Sequence, residues 1–471
     1  MFWFVWGLVV AVSLLRLVFL TDYAASWDAV DFALGVERFD LLEMRPHFPG
    51  YPYFILGGML LKSFVADPVE ALVLFNMVLT WSSVVPVFLI SRRYLLPVKA
   101  VLVVLVVQSL PFFNVLTVQP MSETAAIAVL WWYIWSLFVA LETGKWRWIW
   151  LPGFFFGVLM GIRLSYLGFG IGLVWLFIKD VSGYEGNKWF RFAVHVSVNV
   201  FFQFIWVAGL VASLGGFHSF WRIALSFTEG HFEDWGGTAA ADDGSVITRF
   251  AVLVTKQWLW SALFAHSWLM AGAVVVVVLG LIGARKHFIQ KHFLLLFTMA
   301  GSYFLWVLFA QNIDKPRHIA PFALLIVFLL MIVILKRKTE LMVVVLVGVQ
   351  LFTSVSLMHE RSEELPATYQ LAHYLQEQSG NFIVYTWEET RVMGYLQADY
   401  PHKRLWTYHY FEEEMKDSDT ETVYVTDHLL KGFQQQGMEI SGQVEKVAEF
   451  HSNELFDPVY GEIKLYKWKK N

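Results

Sequence analysis

The first segment with the makings of a reaction centre runs Trp27-Asp28-Ala29-Val30-Asp31-Phe32-Ala33-Leu34. It is followed by Phe39-Asp40 and by Arg45-Pro46-His47-Phe48-Pro49-Gly50-Tyr51-Pro52. Asp28 and Asp31 are one helical turn apart, so a helix would present both carboxylates on one side. A carboxylate placed there can take a proton from an attacking hydroxyl or hold a polar substrate. Phe32, Ala33 and Val36 would face lipid from the same short helix and lay it along the membrane surface. Three prolines and a glycine stiffen 46–52, and Tyr53 to Phe64 suits a second interfacial helix. A plain solvated acidic loop would also account for the paired acids. It would not need so rigid a turn beside them.

Further candidates lie downstream. Glu123 stands in Gln119-Pro120-Met121-Ser122-Glu123, where an apolar stretch begins. Ser122 and Glu123 suit a helix N-terminus, where Glu meets the positive end of the helix dipole, so capping and function both remain open. Arg163 interrupts the apolar run 149–178 together with Gly157 and Gly161. A cation at such depth is costly and marks a functional candidate, with snorkelling or a carbonyl partner as the alternative. Asp314-Lys315-Pro316-Arg317-His318 opens another apolar stretch. Three potentially cationic side chains at a helix N-terminus oppose the dipole. They fit an anion held by the cations and backbone N–H groups together, or an anchor to lipid headgroups. His195, Gln203 and His266 lie inside apolar stretches and read as helix-to-helix hydrogen bonds.

Composition says what positions these residues. Of 471 residues, 57% are hydrophobic and 16% charged, against about 45–50% and about 25% in a soluble domain. The 22 Trp and 42 Phe are rings suited to the membrane–water interface. A net charge of −4 gives no argument for nucleic acid, and the lack of cysteine excludes disulfides, thiol nucleophiles and Cys-ligated zinc. The apolar run Phe2 to Leu20 has almost no basic leader and no small-residue cleavage site, so it reads as a retained first span.

A helix needs about 20 apolar residues to cross the hydrocarbon. Stretches 2–20, 69–90, 98–117, 122–141, 192–212, 258–283, 293–311, 318–335 and 340–358 qualify. The run 149–178 is long for one span and short for two. The basic connectors are Ser91-Arg92-Arg93, Lys145-Trp146-Arg147, Lys188 to Arg191, Arg285-Lys286-His287 and Lys336-Arg337-Lys338. All of them face the cytoplasm if 149–178 folds as two half-helices, and the last three flip if it crosses once. The positive-inside bias favours the hairpin, giving an all-α polytopic membrane domain over 1–358 with about eleven segments. The long outer connectors are then 21–68 and 213–257, the latter with Glu229, Glu233, Asp234, Asp242 and Asp243, and a short one runs from Gln311 to His318. Long connectors are uncommon unless functional, so chemistry is expected at the outer face.

From His359 the chain turns polar. A helix is expected over Pro366 to Gln378, strands at 382–385, 403–407 and 422–426, a helix near 427–436, and antiparallel strands at 443–450 and 460–468. Residues 359–471 thus read as a small extracytoplasmic α/β domain, either helping to admit a substrate or only capping the membrane part. No Gly-rich phosphate loop follows a strand, which leaves nucleotide binding without support.

Taken together these pieces resemble the GT-C superfamily of membrane glycosyltransferases, and among them the bacterial relatives of dolichyl-phosphate-mannose protein mannosyltransferases and lipid A aminoarabinose transferases. The likeness covers residues 1–335. Asp28 occupies the place of the family's acidic residue after span one, with Phe32 as the aromatic four positions on and alanine where Glu often follows. Pro46-His47-Phe48-Pro49-Gly50-Tyr51-Pro52 resembles the family's Pro-His-Pro-Pro-Gly-Tyr-Pro turn. Ser122-Glu123 resembles the acidic start of span four, and Gly161-Ile162-Arg163-Leu164-Ser165 the basic break between half-helices. Lys315-Pro316-Arg317-His318-Ile319-Ala320-Pro321 is similar to the Pro-Arg-Tyr-Leu-x-Pro segment.

The resemblance implies an inverting transferase in a bacterial cell membrane. Its donor would be a polyprenyl-phosphate sugar, and a glycan, lipid or protein acceptor would arrive from outside. Asp28 would take the acceptor proton and Asp31 would assist or bind sugar. His47, Tyr51 and Glu123 would shape the sugar pocket. Arg163, Lys315 and Arg317, with His318, would hold the departing phosphate. No cofactor is implied, and a divalent metal remains open. The rival class is a flippase or transporter, which calls for an internal repeat with a matching interrupted segment in the second half; none is found.

Overall fold

The computed structural model describes residues 2–234, 236–241, 244–282, 290–337, 339–416, 420–440 and 442–469. Of the residues singled out above, Asp242, Asp243, Arg285, Lys286, His287 and Lys338, and the side chain of Arg147, lie outside the described residues.

The apolar runs become helices. In chain order they are α1 (Phe2–Leu15), α2 (Trp27–Glu37), α3 (Pro52–Leu61), α4 (Pro68–Ser91), α5 (Pro97–Gln108), α6 (Pro111–Thr117) and α7 (Glu123–Thr143). Then come α8 (Trp146–Ile149), α9 (Leu151–Ile162), α10 (Ile171–Gly183), α11 (Lys188–Ser213), α12 (Phe217–Glu233) and α13 (Val246–Val252), which continues as a π-helix over Leu253–Leu263. The membrane part closes with α14 (Trp268–Leu279), α15 (Phe293–Ala310), α16 (Ala320–Ile334) and α17 (Glu340–Glu363). Prolines set several starts, because a first-turn N–H has no intrahelical partner to lose; α3, α4, α5 and α6 all open on one.

Among the described residues, seven helices are long and apolar enough to cross a membrane, or nine if each of two bent pairs counts as one span. The chain is a multi-pass membrane protein, and helix length and composition alone do not confirm the expected count of about eleven segments. Leu151–Ile162 is a short apolar helix, as expected for one half of the 149–178 hairpin, and Ala320–Ile334, expected as a full span, is shorter than one too. The expected span 258–283 is also revised. Its helix begins at Val246 and meets α14 at a bend of 101°, where Ala265 and His266 adopt positive φ and the Ser267 side chain caps α14. His266 bonds Ser261 within this bend, 3.0 Å away, rather than a neighbouring helix. His195 does bridge two helices, bonding Asp180 at 2.7 Å, whereas Gln203 accepts from Trp206 on its own helix.

The run 149–178 breaks at Arg163 into α9 and a 3-10 segment, Leu164–Gly170, leading into α10. Arg191 stacks on both Trp146, just before α9, and Tyr184, just after α10. The two halves therefore begin and end at one end of the bundle. Arg163 lies at the other end, beside the start of α7.

The expected lipid-facing side of α2 is a correction. Phe32 and Ala33 are fully buried and Val36 nearly so. They pack into the bundle core against α3, α4 and the 46–52 turn, where the Phe32 ring meets those of His47, Tyr51 and Phe54. Periodicity marks an apolar face without saying what covers it. Arg16, which no motif pointed to, is also fully buried; its guanidinium donates to Asn114 Oδ1 and to the Gln108 carbonyl, both at 2.7 Å.

The C-terminal part follows its expected elements closely: α18 (Ala367–Gln376), β1 (Phe382–Thr386), α19 (Glu389–Tyr395), β2 (His402–Arg404), α20 (Tyr408–Lys416), β3 (Thr422–Thr426), α21 (Asp427–Gln435), β4 (Val444–His451) and β5 (Glu462–Trp468). Helices α19 and α20 were not anticipated. Strand order is β2-β1-β3-β5-β4, parallel across the first three and antiparallel beyond. α18 docks on the chain before α2, where Tyr369 Oη accepts from Ala24 N at 2.9 Å and Thr368 donates to Ala25 O at 3.0 Å.

Candidate active site

Ser26 caps α2 by accepting from Ala29 N, which puts Asp28 in the first helical turn, where the dipole favours a carboxylate. One turn on, Asp31 is fully buried. Its carboxylate accepts from His47 Nδ1 at 2.8 Å, Trp27 Nε1 at 3.1 Å and Arg391 Nε at 2.8 Å. His47 is held at its other nitrogen by Tyr51 Oη, 3.2 Å away. The turn that presents both rings puts Gly50 and Tyr51 at positive φ, 83° and 45°. The turn also approaches α2 closely enough that a Cβ on Gly35 would stand 2.9 Å from Pro46 Cδ.

The remaining charges converge on Asp28. Arg317 bridges two acids, with one guanidinium nitrogen on Asp28 Oδ2 and Nε 2.8 Å from Glu123 Oε1. Lys315 Nζ is 3.9 Å from Asp28. Arg163 reaches Glu123 Oε1 at 2.9 Å and donates to Ser122 Oγ at 2.8 Å. Glu123 is fully buried, so as well as opening α7 it binds two guanidinium groups together. His318 Nδ1 lies 2.9 Å from the Asn312 carbonyl. Sequence positions 28, 47, 51, 123, 163, 315, 317 and 318 thus meet in one place. Asp31 supports that place from beneath and lines neither cavity described below.

The field at the site is uneven. Burial pushes Asp28 up, but the charges of Lys315 and Arg317 outweigh it and hold the carboxyl well below the usual range. Burial lowers His47, yet its bond to Asp31 and the charges of Asp28 and Asp31 leave it raised. Burial, aided by the charges of Arg163, Arg317 and Lys315, keeps His318 far below its ordinary value and hence neutral.

Asp28, Lys315 and Arg317 stand in the wall between two cavities. The larger, about 300 Å³, also takes in His47, Tyr51, Arg163 and His318, with Phe48, Leu167, Phe227 and Trp306 as apolar lining. α12 roofs it: Phe227 stacks near His47 and Phe48, and His231 Nε2 bonds the Ala310 carbonyl at 3.0 Å. The acids expected on this connector, Glu229, Glu233 and Asp234, line neither cavity. The smaller cleft opens toward the C-terminal domain. Sequence reasoning missed Arg391 and His231, which carry no local pattern. Among the described residues, no three His, Asp or Glu side chains converge as metal ligands would.

Residues 45–207 match the family described as dolichyl-phosphate-mannose-protein mannosyltransferase. No curated protein matches the chain by sequence. By structure the chain is similar to ArnT from Cupriavidus metallidurans in the apo state, with a TM-score of 0.55 at 12% identity over 98% of this chain and 97% of that one. It is similar also to ArnT solved with undecaprenyl phosphate, with a TM-score of 0.54 at 11% identity over the same shares. The oligosaccharyltransferase of Archaeoglobus fulgidus aligns at 0.46 and 11% identity, over 85% of this chain and 64% of that one. The chain thus shares the fold of ArnT over nearly its whole length, and its 45–207 segment matches the mannosyltransferase family model, both in line with the likeness read from the motifs.

Proposed function

We propose that this chain, which carries the GT-C fold, is an inverting glycosyltransferase that moves a sugar from a polyprenyl-phosphate donor to an acceptor on the outer face of the membrane. The observation that carries the reading is the position of Asp28 in the wall between an apolar, cation-bearing cavity and a second cleft. A lipid phosphate suits the first, since Lys315, Arg317 and Arg163 offer charge while Phe48, Leu167 and Trp306 offer apolar contact.

The chemistry follows from that placement. An acceptor hydroxyl attacks the anomeric carbon from the cleft side. The bond from that carbon to the phosphate oxygen breaks, and its electron pair leaves with the phosphate. The sugar carries oxocarbenium character at the transition state, and the acceptor proton passes to Asp28. One displacement inverts the anomeric centre. Arg317, Lys315 and Arg163 meet the charge that grows on the leaving phosphate, a preorganised field that costs no reorganisation. Asp28 is a poor base while it shares Arg317 and Lys315. The departing phosphate competes for the same cations, so the base strengthens as the leaving group forms. Asp31, saturated by three partners, acts as a positioning residue.

The test is release of radiolabelled sugar from polyprenyl-phosphate hexoses by the full chain in lipid bilayers. Wild type is expected to release sugar to water or to an added envelope extract. Asp28→Asn should lower release by about 10²–10⁴-fold, the usual contribution of a general base. Binding of the lipid with no release from any donor would overturn the reading in favour of a flippase.

A further inference from the structure

The smaller cleft is built by both domains. Its walls include Trp27 and Gln119 from the membrane part, Arg361 from the end of α17, and Glu388, Asp457 and Tyr460 from the C-terminal domain. It sits where the sheet itself makes a ligand site. From β1 the chain crosses through α19 to β2 on one side, then returns through α20 to β3 on the other. The carboxyl ends of β1 and β3 thus flank a topological switch point, the place where open α/β sheets bind ligands. Residues just past those ends tie the switch point together. His428 Nδ1 is 2.9 Å from Glu389, and its Nε2 is 3.0 Å from the Val459 carbonyl. Tyr460 Oη donates to Glu388 at 2.6 Å, which brings this pair to the cleft.

The wall chemistry narrows the occupant. Acids and cations alternate, with Asp28, Glu388 and Asp457 against Lys315, Arg317 and Arg361. A phosphate or carboxylate would meet the three acids, and an apolar chain would strand buried charges without partners. Extended peptides bind by adding to a free strand edge, but β1 and β3 are each paired on both sides. Hydroxyl groups donate and accept alike and satisfy both signs. Among these wall groups Arg361 is 2% exposed and bonds Asp457 at 3.3 Å.

We infer that this cleft is the acceptor subsite and that the acceptor is a neutral carbohydrate, held by Glu388, Tyr460 and Arg361 with one hydroxyl directed to Asp28. The inference rests on the transferase reading above and adds the acceptor's chemical class.

The test uses the full chain in lipid nanodiscs and saturation-transfer NMR with neutral methyl disaccharides of glucose, galactose and mannose, without donor. At least one should bind, and Glu388→Gln should weaken it about tenfold, the scale of one hydrogen bond to a charged group. Tyr460→Phe, which removes a single hydroxyl, should weaken it too and stands in should Glu388→Gln fail to fold. Affinity for polyprenyl phosphate is measured on the wild-type chain in the same discs. Loss of lipid binding would count against the transferase reading. Lipid binding without binding of any neutral glycan would overturn the acceptor assignment, as would a peptide or anionic glycan that binds in a Glu388-dependent way.

Discussion

Arg391 and Asp31 are separated by 360 residues in the chain and by 2.8 Å in space. The guanidinium of the C-terminal domain reaches a carboxylate buried at the foot of α2, and on the way it also donates to the Met44 carbonyl at 2.9 Å. Asp31 stands one turn from Asp28, so whatever fixes Asp31 fixes the helix that carries Asp28. The C-terminal domain is therefore part of the site's scaffold.

Arg391→Gln leaves the Asp31 carboxylate with one cationic partner, His47. Removing one member of a buried pair costs about 3 kcal/mol at the lower end of measured values, and a lower thermal midpoint in detergent is expected. A purely structural latch would stop there. A positioning role also lowers kcat for sugar release more than it raises the donor KM, because misplacement of Asp28 acts on the transition state. Unchanged kcat in a folded Arg391→Gln would refute the link.

The pH profile should separate the free and donor-bound enzyme. With the cavity free of donor, Lys315 and Arg317 hold Asp28 well below the carboxylate range against the push of burial. The acid limb of kcat/KM, which reports the free enzyme, should then fall below about pH 4. Donor phosphate draws on the same two cations, so Asp28 rises in the complex and the acid limb of kcat moves to higher pH. Coincident limbs would show that the phosphate does not share those cations.

His47 gives a stability signature of opposite sign. Burial lowers its proton affinity, but Asp31 and Asp28 more than offset this and raise it. A group raised above its unfolded value near 6.5 contributes fully below that pH and loses its contribution as pH climbs through the folded value. The thermal midpoint should therefore decline on the alkaline side of pH 6.5. His47→Gln should be less stable at pH 6 and should lack that decline.

The sequence carried more of the site than of its supports. Asp28, Glu123, Arg163, Lys315 and Arg317 each sit at a helix start or break, where a charge in an apolar context is visible locally. Arg391 was illegible because it reaches the site only through docking of a distant domain. The start at Val246 of the helix that bends into α14 was missed because Arg249 and Lys256 break its apolar run. Arg249 is buried with its guanidinium on the Leu308 and Gly237 carbonyls, at 2.6 and 2.8 Å. In the C-terminal domain, the strands were legible from alternation and β-branched runs such as Phe382-Ile383-Val384-Tyr385. Helices α19 and α20 were not, since Glu389–Tyr395 and Tyr408–Lys416, at 7 and 9 residues, are too short for a helical period to stand out.

Gly35 tests how closely α2 must lie on the His47 turn. An added Cβ would be 2.9 Å from Pro46 Cδ and 3.2 Å from the Arg45 carbonyl carbon. That backbone cannot yield easily, since Arg45 and Asp40 exchange two main-chain hydrogen bonds of 2.6 and 2.8 Å. Gly35→Ala should cost about 1–3 kcal/mol through overpacking. The strain is relieved by moving α2 off the turn, which pulls Asp31 from His47 and shifts Asp28 at the cavity wall. A misplacement near 1 Å is worth about 10²-fold in rate, so kcat should drop steeply while polyprenyl phosphate still binds through Lys315 and Arg317. Gly7, in α1 with no atom within 4 Å of an added Cβ, supplies the control: Gly7→Ala should be no less stable than wild type, since Ala suits a helix interior better than Gly, and should match it in release. Equal behaviour of the two variants would mean that the approach of α2 to the turn does not set the reaction geometry.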